Sequence, residues 1–175
     1  MKNSLLYLIV LVLVFFIFSA SSCHKEDTVP YLVPITTTGA NTMGFYIDGV
    51  PYNKKGVQNF GNPGGVSWGK FGDGKIQIDG GGGNPYGYIR ISFFEQPNSK
   101  NYILNRLSST TGFGEFIDDA PLGGNEYYTN DTVTGKLEIL RFDDHIISGN
   151  FDIQLQDPIT GKIVHLTDGR FDIKR

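Results

Sequence analysis

The sequence predicts an all-β domain, an antiparallel β-sandwich or flattened β-barrel of about eight to ten strands. Three observations carry that reading. Apolar and polar residues alternate at Lys75-Ile76-Gln77-Ile78-Asp79 and at Tyr88-Ile89-Arg90-Ile91-Ser92-Phe93, as they do in strands with one buried face. Twenty-three glycines and 13% aromatic residues, without a sustained helical period of apolar side chains, favour strands joined by tight turns. Between the alternating runs stand Asp48-Gly49, Asp73-Gly74, Asp143-Asp144, Asp157-Pro158-Ile159-Thr160-Gly161 and Asp168-Gly169, residues that tolerate tight or positive-φ backbone.

The amino terminus is a separate element. Lys2 precedes an apolar run from Leu5 to Phe18 that is shorter than the ~20 residues a membrane-spanning helix needs, so residues 1–22 read as a signal peptide. Ala20-Ser21-Ser22-Cys23 resembles the lipobox of bacterial lipoproteins, with Ala20 where leucine is favoured, and Cys23 is the only cysteine in the chain. Cys23 is therefore expected to carry the lipid, which makes the membrane a partner through a lipid anchor. A secreted protein with a free thiol and an uncleaved signal anchor are the alternatives. An unpaired thiol in an oxidising compartment is a liability, which favours acylation. His24-Lys25-Glu26-Asp27 resembles the export signal of some surface-displayed Bacteroidota lipoproteins, its plainer reading being a solvated charge run. Localisation is expected at the outer membrane, on the periplasmic side or the cell surface. Residues 23–42, punctuated by Pro30 and Pro34, read as a lipidated tether.

Residues 43–175 are expected to form one β-domain, since the remaining length suits a single core. Strands are predicted near 44–48, 51–55, 66–71, 75–79, 86–95, 100–104, 135–142, 145–156, 162–167 and 170–174, pairing successively as hairpins. In the last third Phe151, Ile153 and Leu155 alternate with Asp152, Gln154 and Gln156, and Phe171 and Ile173 alternate with Arg170, Asp172 and Lys174. Asp168 and Asp172 are expected to fix a turn and face solvent. The stretch 105–134 lacks a period and reads as long loops, with one short helical turn around Phe113 to Asp118.

The elements Gly135-x-Leu137-x-Ile139, Phe142-Asp143, Ile147-Ser148-Gly149-x-Phe151 and Thr167-Asp168-Gly169-x-Phe171-Asp172 recur in order, and Phe45-Tyr46-Ile47-Asp48-Gly49-Val50-Pro51-Tyr52 reads as an opening hairpin. Together they resemble a Bacteroidota lipoprotein family known as a domain of unknown function, with the resemblance vague between residues 56 and 130. It implies a β-rich extracytoplasmic lipoprotein, no reaction and no catalytic residues.

Several chemistries find little support. A formal net charge of −3 argues against nucleic acid as a partner. Gly80 to Gly83 leads into Asn84-Pro85-Tyr86 and another strand rather than into a helix with Lys-Ser/Thr, so it is no phosphate loop. His24, His145 and His165 share no metal-ligand spacing, and the carboxylate pairs Asp118-Asp119 and Asp143-Asp144 sit in turns. Calcium remains open, because oxygen ligands in Asp/Asn/Gly loops suit a hard cation, but the EF-hand order is absent. No cofactor, no metal and no catalytic residue is predicted.

The ligand-binding candidates are aromatic. Trp68 lies beside Gly65 and Gly69, and Tyr86 and Tyr88, with Tyr127 and Tyr128, offer flat rings that could stack on a sugar. The competing reading, favoured for Trp68, is that these rings fill the core. The function expected is a non-enzymatic, membrane-tethered domain that binds a ligand or partner, a glycan or an envelope protein. The alternatives are a hydrolase acting on glycan, whose acids converge only in three dimensions, and a structural envelope subunit.

Overall fold

The alternating runs become strands that pair antiparallel throughout. The computed structural model describes residues 31–59, 63–81, 87–96, 99–106, 108–118 and 124–175. Among these the chain forms β1 (Thr42–Ile47), β2 (Val50–Lys55), β3 (Val66–Lys70), β4 (Lys75–Gly80), β5 (Tyr88–Phe94), β6 (Asn101–Leu104), β7 (Phe113–Ile117), β8 (Glu126–Tyr128), β9 (Gly135–Phe142), β10 (Ile146–Gln156) and β11 (Ile163–Lys174), with no helix.

The sheet runs β2-β1-β11-β10-β8-β7-β5-β4-β3, and β9 lies beside the first part of β10 with β6 on its far side. Beyond β2, the Gln58 amide donates to the Val66 carbonyl at 2.9 Å and the Val66 amide to the Gly56 carbonyl at 2.8 Å. These bonds bring the two ends of the order together, so the sheet is nearly closed into a barrel and few backbone groups are left on a bare edge.

Inward-facing residues follow the period-two rule. Met43, Phe45, Ile76, Ile78, Ile89, Ile91, Phe93, Leu137, Phe151, Ile153, Leu166, Phe171 and Ile173 join in one buried core. Phe45 stacks on Tyr52 with ring centroids 5.6 Å apart and meets Phe116 edge-on at 6.4 Å, the offset and edge arrangements that aromatic quadrupoles favour. Lys54 also points inward from β2 and is buried, which pushes its amine down to about 8.

The structure corrects four expectations. The stretch 105–134 is not all loop: it supplies β7 and β8, and Phe113–Ile117 is a strand, not a helical turn. Among the described residues the strands number eleven, against the about eight to ten expected. The two strands expected at 162–167 and 170–174 are one, β11, because Asp168-Gly169 forms a bulge against Phe151 instead of a turn; Asp168 takes φ 52° there. Finally, the expected tether is already part of the domain from Tyr31 onward: Tyr31–Arg175 is one compact unit, and Val33 is buried. Cys23 and residues 1–30 lie outside the described residues.

Candidate ligand-binding site

Residues 31–41 form a strap across the outer face of β2, β1, β11 and β10. The Val33 amide donates to Asn53 Oδ1 at 2.7 Å, and Asn53 Nδ2 donates to the Tyr31 carbonyl at 3.1 Å. Gly44 in β1 lets the strap lie close, since a Cβ there would stand 2.9 Å from Val33 Cγ2. Farther along, Asp172 of β11 receives the strap. Its carboxylate accepts from Thr36 Oγ1 at 2.6 Å, the Thr38 amide at 2.9 Å, the Gly39 amide at 2.8 Å and the Ala40 amide at 3.0 Å.

Asp172 was expected to face solvent, yet it is 1% exposed, because outward-facing positions of β11 are covered here by the strap. Burial by itself would raise its pKa, but the donors from Thr36, Ala40, Gly39 and Thr38 outweigh it and hold the carboxyl below its ordinary value. Arg141 adds a bond from Nη1 to the Thr37 carbonyl at 2.7 Å.

The strap walls one side of a groove of about 660 Å³, within the ~300–1,000 Å³ range of small-molecule sites. Its floor is the outer face of β6, β9, β10 and β11, where cross-strand register sets two rows. Asn101, Glu138, Asn150 and Arg170 face one another in the first; Ile103, Lys136 and Asp152 make the second, with Asp168 of the bulge at its end. Ile35 from the strap, 56% exposed, and Ile103 from β6, 50% exposed, supply apolar surface at the two sides.

The charged groups of this groove are not paired with one another, although Arg170 Nε donates to the Asp168 carbonyl at 3.1 Å. None of Lys136, Glu138, Asp152, Asp168 and Arg170 joins an ion pair among the described residues. Asn150 donates only a long bond to Glu138, at 3.5 Å, while its Oδ1 is buried without a donor. An unmatched buried acceptor of this kind costs about 1–3 kcal/mol.

Of the sequence-predicted ligand residues, Trp68 and Tyr88 are not brought together. Trp68 is no exposed platform: it is 8% exposed, it faces inward opposite Ile78, and its ring is closed off by Phe142 edge-on at 5.7 Å and by the Arg175 guanidinium at 5.6 Å. The reason is register, since an even step along β3 from buried Val66 puts it on the core side. Tyr86 lies outside the described residues. Tyr88 is on the outer face of β5, so the sheet separates it from Trp68.

Tyr88 belongs to a second polar cluster. Arg90 Nε meets Asp79 Oδ1 at 2.9 Å and Arg90 Nη1 meets Glu115 Oε2 at 3.4 Å; Gln77 Nε2 donates to Asp79 Oδ2 at 2.8 Å, and the Tyr88 hydroxyl donates to Asp79 and accepts from Arg90. Burial, then the Asp79 bond, raises the Tyr88 pKa, and burial raises that of Glu115 against the pull of Arg90. Phe113 stacks on Tyr128 nearby at 5.7 Å, and a hydrogen bond to Glu126 pushes the Tyr128 hydroxyl up to about 12. Here Arg90 answers both Asp79 and Glu115. The guanidinium fills the space between Asp79 and Glu115, so the two acids do not face each other across an open cleft as glycosidase carboxyls do.

Among the described residues no group of three or more His, Cys, Asp or Glu side chains is placed to hold a metal ion. His145 and His165 are exposed, one at the turn before β10 and the other on β11 opposite Gln154. No protein-family model matches the chain, and no curated protein or solved structure matches it either.

Proposed function

We propose that this is a lipid-anchored extracytoplasmic β-domain that binds a ligand in the groove between the strap and the β6-β9-β10-β11 face. The observation that carries the binding reading is the contrast between two polar surfaces. Around Arg90 the guanidinium is paired with two carboxylates, as expected of a surface serving stability; in the groove, charged groups converge on a concavity without an ion pair among them, and the Asn150 carbonyl oxygen has no donor. Desolvated or unpaired polar groups in a cavity are retained at a cost, and a ligand that pairs them repays it.

The anchor reading rests on the leader and Cys23. Eight peptide units separate Cys23 from Tyr31, a reach of at most about 29 Å when fully extended. Replacing Cys23 by alanine is expected to move the protein from the membrane fraction to the soluble one; unchanged retention with a cleaved leader would contradict the anchor. For the binding reading, the unfolding midpoint of the full chain in detergent should rise with added envelope extract. It should not rise for Glu138→Gln with Asp152→Asn. Equal midpoints for wild type with and without extract would remove the reading.

One observation favours the hydrolase alternative. Glu138 and Asp152 are diagonal neighbours on the same face of β9 and β10, their backbones about 7–8 Å apart, so both carboxyl groups open onto one groove as a glycosidase pair must. Against it, both side chains are exposed, whereas a general acid is normally desolvated.

A further inference from the structure

We infer that the groove takes a neutral saccharide, held by Glu138, Asn150, Asp152, Lys136 and Arg170 against the aliphatic wall of Ile35. This rests on the binding reading above and adds the ligand's chemical class and its contacts.

The class follows from how donors and acceptors are laid out. Lys136 stands directly opposite Asp152, and Asn150 stands between Glu138 and Arg170. Acceptors and donors therefore alternate across neighbouring strands at the ~4.8 Å inter-strand spacing. A polyhydroxylated ring suits that grid, because each hydroxyl both donates and accepts. A polyanion does not, since three carboxylates against two cations line the groove and would repel it. An extended peptide fits no better. Peptides are commonly held by adding a strand to a free edge; β9 and β10 are paired on both sides, which removes that mode from the floor.

The remaining features match the same ligand. Ile35 and Ile103, both half-exposed, offer C–H-bearing surface to the apolar faces of a sugar ring. The Asn150 amide, whose buried oxygen has no protein donor and whose nitrogen makes only a long bond to Glu138, has hydrogen-bonding capacity to spare. Glu138 and Asp152, as carboxylates without ion pairs, can each accept two hydroxyl protons in the bidentate manner of planar groups. Tyr88 has no place in this contact set, since its hydroxyl is committed to Asp79 and Arg90.

The test is a glycan array probed with the labelled full chain in detergent, followed by titration with a soluble neutral oligosaccharide that scores. Glu138→Gln and Asp152→Asn preserve shape on an exposed face, and their unfolding midpoints check that the fold is kept. Each is expected to weaken binding at least tenfold, while Tyr88→Phe leaves it unchanged. Binding confined to acidic polysaccharides, or binding insensitive to both groove variants, would overturn the inference. A parallel arm uses a random tetrapeptide library. Peptide binding that the groove variants abolish, with no glycan bound, would overturn the saccharide class and leave the binding reading standing; no binding in either arm would end both.

Discussion

At residue scale the buried carboxylate of Asp172 ties the entering chain to the sheet. A charged acceptor with donors from Thr36, Thr38, Gly39 and Ala40 forms stronger bonds than neutral pairs would, and each donor becomes a buried orphan if the acceptor is lost. Asp172→Asn is therefore expected to lower stability by about 3 kcal/mol and to expose residues 36–40 to limited proteolysis; wild-type cleavage kinetics would contradict this. The sign of the pH effect follows from the depressed pKa. The carboxylate's contribution is complete above the unfolded value of 3.8 and disappears as pH falls through the lower folded value. Asp143, held at about 2 by the His145 amide and Arg141, and Asp157, lowered by Thr160 and Ile159, act in the same direction. Acid denaturation should thus begin below pH 3.8, and Asp172→Asn should flatten part of that dependence. A stability that stays level from pH 5 to pH 2 would contradict the assignment. The sequence marks Asp172 only as the last residue of a recurring element and gives no sign of its burial, because its partners lie more than 130 residues away.

At the scale of elements, what was legible was the alternation. β4, β5, β9 and β10 follow a clean polar and apolar period, and their boundaries lie close to those read from sequence. β7 and β8 were hidden because one is interrupted by Gly114 and the other is three residues long, so neither shows a period. β11 was divided because Asp-Gly is also a hairpin signal; only the Phe151 ring beneath Gly169 shows that the chain continues. That packing gives a direct check. A Cβ on Gly169 would stand 2.3 Å from the Phe151 ring, so Gly169→Ala should cost about 2 kcal/mol. Gly72→Ala, in a turn with open space around its Cβ, should cost far less. Equal midpoints for the two variants in urea denaturation would show that the bulge is not tightly packed. The groove itself was illegible for a related reason: Lys136, Glu138, Asp152 and Arg170 look like ordinary solvent-face residues along their own strands. Only the register of three strands and the strap makes them one surface.

For the whole molecule, near-closure of the sheet buries one core and leaves the outer face to carry function. The strap, the bulge of β11 and the short β6 frame a groove on that face, while the Arg90 cluster stabilises another part of it. The aromatic residues that drew notice in the sequence divide between these roles, Trp68 to the core and Tyr88 to the satisfied cluster. Hydroxyl-radical footprinting of the full chain, with and without envelope extract, tests the central claim most directly because it reads side-chain exposure. Protection is expected at Ile35, Ile103, Lys136 and Arg170, with Tyr88 and Tyr128 unchanged. Unaltered oxidation at the groove, or protection confined to Tyr88 and Tyr128, would contradict it.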